Sequence, residues 1–249
     1  MRRGLTPQAA VRRALPVALA LALAGCRGSR PAVPILTWHS IAAAGDGFTV
    51  PPDQFGAELD ALQDRPTISL HRLLEGAPPQ RAVVLTFDDG AQDAFTVALP
   101  ELRRRGMRGT FFIVTGLVGD DEAHRRIEGG VRYLIWPEVL QLLRSGMEIG
   151  SHSVDHARLP DLPAGRVREE LVQSKRALEE HLGAPVEVFA YPFNSVRSEV
   201  REAVIAAGYR AAVAGEVHGS DDWFQLYRVS VQRGTTLPDL RATLLRWPR

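Results

Sequence analysis

The run Ala82-Val-Val-Leu-Thr-Phe-Asp-Asp-Gly90 constrains the fold more than any other stretch of the chain. Strand-forming apolar residues stop abruptly at two adjacent carboxylates and a glycine. A strand that buries Val83, Val84 and Leu85 delivers Asp88 and Asp89 to its carboxyl end, which in an α/β fold is where ligands bind. Successive strand residues point to opposite sides, so the two aspartates need not share one task.

The same plan recurs along the chain. Residues 33–38 form an apolar run that ends at His39-Ser40. Pro51-Pro52-Asp53 opens a helix with Phe55, Leu59 and Leu62 on one face. Residues 92–105 read as a helix carrying Phe95, Leu99 and Leu102, and 109–114 as a buried strand. Residues 116–132 are glycine-rich and charged and read as a loop. A helix over 136–144 starts with Pro137 in its first turn. A short strand over 147–151 then runs into His152-Ser-Val-Asp-His156. The longest helix spans 164–182, with Val167, Leu171, Leu178 and Leu182 facing inward. A strand over 186–191 ends at Pro192-Phe193-Asn194. A helix over 196–207, strands at 209–213 and 227–231 and a last helix over 238–245 complete the pattern. Nearly continuous β, α alternation predicts a parallel sheet or a (β/α) barrel in a single α/β domain, and 249 residues suit one such domain.

Thirty basic and 29 acidic residues leave a net charge of +1, which gives no basis for a charge-driven nucleic-acid partner. The triplet Arg103-Arg104-Arg105 reads as a solvated helix end. The amino terminus is different. Residues 1–13 carry Arg2, Arg3, Arg12 and Arg13 with no acid, and an apolar run over 14–24 follows that is too short to span a bilayer comfortably. It ends Leu23-Ala24-Gly25-Cys26, which resembles the lipobox of bacterial lipoprotein signal peptides. The resemblance implies cleavage before Cys26, a diacylglyceryl group on its sulfur and membrane attachment through that lipid. An ordinary secreted protein or an uncleaved anchor are the alternatives. The organisation expected is a signal peptide over 1–25, a tether over 26–34 and a catalytic domain over 35–249. Cys26 is the only cysteine, so a lipidated chain has no disulfide. Arg27 rather than Asp after the cysteine points to the outer membrane, facing the periplasm, in a Gram-negative cell.

Polar or ionisable groups stand at four strand exits: His39, Asp88-Asp89, His152 with His156, and Tyr191-Pro-Phe-Asn194. His-x-x-x-His places two imidazoles one helical turn apart, so that both can face one cation. Either aspartate would complete a two-histidine, one-carboxylate set with positions left open for water and substrate. Such a set suits zinc, cobalt, nickel or iron.

Thr86-Phe-Asp-Asp-Gly90 and His152-Ser-Val-Asp-His156 resemble, without gaps, the first two motifs of the polysaccharide deacetylase family, the NodB homology domains of carbohydrate esterase family 4. The resemblance implies a distorted (β/α)7-type barrel, a divalent metal that is most often Zn2+, and removal of N-acetyl groups from N-acetylglucosamine-containing polysaccharides. It makes Asp89, His152 and His156 the metal ligands and Asp88 the general base. Ile35-Leu-Thr-Trp-His39-Ser-Ile41 is similar to the amino-terminal motif of a subgroup with rearranged motif order, which contains the poly-β-1,6-N-acetylglucosamine deacetylases. There the acid histidine precedes the Asp-Asp motif, which assigns the general acid to His39, with His218 as the alternative. Ala190-Tyr-Pro-Phe-Asn194 stands where the main family reads Arg-x-Pro-Tyr-Gly, so the arginine that orients the base is missing, and Arg228 is a candidate to replace it. Phe193 would supply the oxyanion N–H, and Asn194 tolerates the left-handed backbone of the glycine it replaces.

Tyr191, Tyr133 and Trp136 are candidates to stack on sugar rings, with core packing the alternative for Trp136. Asp221-Asp222-Trp223 is either the family's fourth motif or a surface turn. His71, His124 and His181 read as surface or structural. Two further activities stay open: a related hydrolase of another amide or an O-acetyl ester, and a catalytically silent sugar-binding lipoprotein. A monomer is expected.

Overall fold

Alternation along the strands sorts this chain into two apolar layers, and a closed sheet separates them. The computed structural model describes residues 33–215 and 222–245. The expected signal peptide, Cys26, most of the tether, His218 and Asp221 lie outside the described residues. Seven strand positions make the barrel: β1 (Ile35–Trp38), β2 (Val83–Phe87), β3 (Thr110–Ile113), β4 (Glu148–Ser151), β5 (Val188–Ala190), β6 (Ala211–Ala214) and β7 (Leu226–Tyr227 with Val229–Ser230). Each pairs in parallel with the next in chain order. The first half of β7 pairs with Val213 and Ala214 of β6, and its second half pairs with Leu36 and Thr37 of β1. One short segment, interrupted at Arg228, therefore closes the sheet and removes its free edges. This is the (β/α)7-type barrel that the family resemblance implies.

Leu36 and Trp38 of β1 face outward with Val83, Leu85 and Phe87 of β2, Phe111 and Ile113 of β3, Ile149 of β4 and Phe189 of β5, and helices cover them. Ile35, Val84, Phe112, Val188, Ala190, Ala211, Val213 and Leu226 fill the lumen. The same parity, carried two to four residues further, gives Thr37 and His39 on β1, Thr86 and Asp88 on β2, Gly150 and His152 on β4, and Arg228 in β7. The polar centre is thus the uppermost layer of an otherwise apolar lumen. Gly150 is required there, because a Cβ at that position would lie 2.5 Å from the Phe112 ring.

Two elements differ from expectation. The helix expected over 92–105 opens as a π-turn at Ala94–Ala98 before continuing as Leu99–Arg104. Pro100 has no N–H to offer the carbonyl of Thr96, so the regular ladder is interrupted there. The expected loop over 116–132 contains a small hairpin of Ile127–Glu128 and Val131–Arg132. Its turn is Gly129-Gly130, both with positive φ (56° and 83°), the backbone a two-residue hairpin turn demands. The long helix Ala164–Leu182 stops at Gly183, which takes the left-handed conformation (φ 63°) common just past a helix end.

Candidate active site

The exit of β2 sends its two carboxylates to different places. The Asp88 N–H donates to the Trp38 carbonyl at 2.9 Å, extending the β1–β2 pairing by one residue. The side chain stays in the lumen, 1% exposed. Asp89 then takes a left-handed φ of 69°, and the Gly90 N–H returns to the Asp88 carbonyl at 2.9 Å. That tight turn carries the Asp89 side chain to the cavity rim.

Asp88 meets Arg228. Nη1 of the guanidinium lies 2.7 Å from Asp88 Oδ1 and Nη2 lies 2.5 Å from Oδ2, a two-pronged ion pair. Thr37 Oγ1 (3.2 Å) and Asn194 Oδ1 (3.3 Å) accept further hydrogen bonds from the guanidinium. Burial alone would push the Asp88 carboxyl up, but the charges of Arg228, His152 and His39 outweigh it and hold the group below the usual carboxylate range.

Asp89 Oδ1 lies 3.4 Å from Nε2 of both His152 and His156. One donor atom from each of the three residues falls within 4.8 Å of the others. Nδ1 of His152 is 2.8 Å from the Ala190 carbonyl, which only accepts, so Nδ1 carries a proton and Nε2 is the ring nitrogen left to face the cluster. Asp89 Oδ1 is buried with no hydrogen-bond partner. Three potential electron-pair donors thus converge. A tetrahedral cation with bonds of about 2.1 Å needs donor separations of about 3.4 Å, which the two Asp89–histidine separations match, so these donors suit a divalent ion. Burial pushes the Asp89 carboxyl up, but contact with His152 and the charges of His39 and His156 hold it well below the usual range. Burial, then the neighbouring His152, lowers the affinity of His156 for a proton, which favours the neutral imidazole that a cation requires.

The two histidines are not on a helical turn, as their spacing suggested. Residues 152–156 are irregular, with left-handed Ser153 (φ 67°) and His156 (φ 54°). Glu170, buried in the long helix, shapes this loop by accepting the N–H groups of Val154 and Asp155, each at 2.9 Å. Ser153 Oγ accepts the His156 N–H at 3.1 Å. Glu170 escaped the sequence reading, yet a signal was present: it shares the inward stripe of Val167, Leu171, Ser174 and Leu178. Five of the seven non-glycine residues with positive φ among those described are Asp89, Ser153, His156, Phe193 and Asn194. Backbone strain is thus concentrated in the three loops that build the cavity.

The cavity has a volume of about 400 Å³ and opens at the carboxyl rim of the barrel. His39 lines it together with Asp88, Asp89, His152, His156 and Arg228. The His39 ring packs 5.0 Å from that of Phe48, and its Nδ1 is buried without a partner. Phe193 is 55% exposed, with its ring 4.6 Å from that of His156. Asn194 does adopt the left-handed backbone, at φ 52°.

Tyr191 lines the cavity from a buried position. It is fully buried, its ring meets Phe189 edge-on, and its hydroxyl donates to the Phe224 carbonyl at 3.0 Å. Trp136 stacks on His181 with centroids 3.7 Å apart, away from the cavity, whereas Tyr133 lines it. Asp222 pairs with Arg201 and accepts the Phe224 N–H at 2.9 Å, and neither it nor Trp223 lines the cavity. His71 pairs with Glu187 and His124 with Asp121.

A closed parallel barrel that gathers carboxylates and imidazoles at its carboxyl rim defines the class: an α/β-barrel protein with a donor set suited to a divalent cation, and the family match makes it a deacetylase, a hydrolase. The family description "Polysaccharide deacetylase" matches residues 75–212, and the chain belongs to that family. YxkH of Bacillus subtilis, which carries a polysaccharide deacetylase name, is 27% identical over 212 residues, 81% of this chain and 72% of that protein. A poly-β-1,6-N-acetyl-D-glucosamine N-deacetylase of Staphylococcus aureus is 21% identical over 196 residues, 71% of this chain and 66% of that one. The deacetylase PplD of Streptococcus pyogenes, solved with acetate, shares the fold with a TM-score of 0.75 at 24% identity, covering 85% of this chain and 97% of that one.

Proposed function

We propose that this protein hydrolyses N-acetyl groups on an N-acetylglucosamine-containing polysaccharide. The observation that carries the proposal is the meeting of His39, Asp88 and the Asp89–His152–His156 donor set in one cavity. The name of the Staphylococcus aureus relative supports an N-acetylglucosamine polymer as the substrate class.

Asp89, His152 and His156 would hold the cation, zinc by preference. When bound, it acidifies water and polarises the acetamide carbonyl. Asp88 takes one proton from the attacking water as the new carbon–oxygen bond forms. Arg228 holds both carboxylate oxygens, and each keeps a second lone pair for that proton. The Phe193 N–H, turned by its left-handed backbone, serves the carbonyl oxygen as negative charge develops. His39 delivers a proton to the nitrogen as the carbon–nitrogen bond breaks, because an unprotonated amide nitrogen is a very poor leaving group. The products are acetate and a free amine on the sugar. The chain acts as a monomer outside the cytoplasm. It is held to the cell envelope through lipid on Cys26, at the periplasmic face of the outer membrane if the cell is Gram-negative.

The test is to incubate the metal-loaded protein with acetylated glucosamine oligomers and with O-acetyl esters, measuring acetate and new primary amine. Equal amounts of both products, lost on chelation and restored by zinc, are expected. Acetate from esters alone would overturn the proposal.

A further inference from the structure

His39 lies where the barrel lets go of the chain. The pairing of β1 with β2 ends at Trp38. Ser40 and Ile41 then join a separate two-stranded sheet with Thr49 and Val50. The place of His39 therefore depends on what fixes Ser40. Asp93, just before the helix that follows β2, provides that tie: Ser40 Oγ donates to Asp93 Oδ2 at 2.5 Å. The backbone N–H groups of Ile41 and Ala94 also lie near this carboxylate. Two buried polar atoms flank the tie without hydrogen-bond partners, Nδ1 of His39 and Oδ1 of Asp93.

We propose that Asp93 is a positioning residue for His39: it anchors the His39-Ser40-Ile41 segment through Ser40. The inference rests on His39 being the acid, and the test separates the two. An amine leaves only with a proton, whereas an aryl oxide leaves without one. Misplacing the acid therefore slows hydrolysis of the acetamide more than that of an aryl acetate.

Ser40→Ala, Ser40→Thr, Asp93→Ala and His39→Ala are assayed as zinc-loaded proteins on an acetylated glucosamine oligomer and on 4-nitrophenyl acetate. Ser40→Ala and Asp93→Ala are expected to lower the amide-to-ester rate ratio by about tenfold or more, through kcat rather than KM, with zinc retained. Ser40→Thr keeps the hydroxyl and restores the ratio. If Asp93→Ala does not fold, Ser40→Ala decides. Proportional loss on both substrates, or an unchanged ratio when His39→Ala lowers it, overturns the positioning role. An unchanged ratio in His39→Ala removes the acid assignment, and the role of Asp93 falls with it.

Discussion

Arg228 grips both oxygens of Asp88 across the top of the lumen, although 140 residues separate them in the chain. Both side chains are almost wholly buried, at 2% and 1% exposure. Arg228→Lys keeps the charge and loses the fork, and kcat for acetate release is expected to fall about 10- to 100-fold. Arg228→Met leaves a buried carboxylate without its partner and is expected to cost about 3–5 kcal/mol in urea unfolding. Wild-type stability and turnover in the methionine variant would show that the pair is incidental.

The two aspartates of the turn should separate in a metal assay. Asp88→Asn is expected to retain zinc after dialysis and to lose turnover, whereas Asp89→Asn loses both. Metal analysis of the purified variants checks this, and the opposite pattern would exchange the two roles.

Glu170 touches no proposed ligand atom, yet it holds the loop that carries His156. Glu170→Ala is expected to weaken zinc affinity about 10- to 100-fold, by analogy with other groups that orient metal ligands. Competition with a chromogenic chelator measures it. Unchanged affinity would mean that the loop keeps its shape without the carboxylate.

Glu58 tests the linkage between burial and pH away from the cavity. Burial raises its carboxyl, and hydrogen bonds from Gln54 and Trp38 only partly offset this. The folded protein therefore binds this proton more tightly than the unfolded chain does. The resulting stability is present below the ordinary glutamate range and is lost as pH rises through the raised value. Glu58→Gln cannot ionise, so its stability relative to wild type is expected to improve with pH across that window. Urea midpoints from pH 4 to pH 8, taken on both proteins, check the sign.

Much of the site was legible because it is local. Apolar runs that end in Asp-Asp-Gly or His-Ser-Val-Asp-His announce both a strand and its chemistry, and period-two alternation then places Asp88, His152 and Arg228 on the lumen side. Tyr191 shows where locality fails. It stands beside the cavity, but packing against Phe189 and a hydrogen bond to the Phe224 carbonyl, 33 residues away, hold the ring in a buried position that its neighbours in sequence do not announce. The His152–His156 spacing suggested a helical turn, whereas Glu170 imposes an irregular loop that serves the same convergence.

The amino-acid order by itself determined the strands, their parity and the donors they present, because these follow from backbone periodicity and side-chain chemistry within a few residues. Only the tertiary structure decided which of those groups meet. Barrel closure through β7 brings Arg228 to Asp88, and the turn at Asp89 sends one carboxylate to the donor cluster while the other stays with the arginine. The physical reason is that ion pairing and cation binding act over a few ångströms of space, and distance along the chain does not predict that separation.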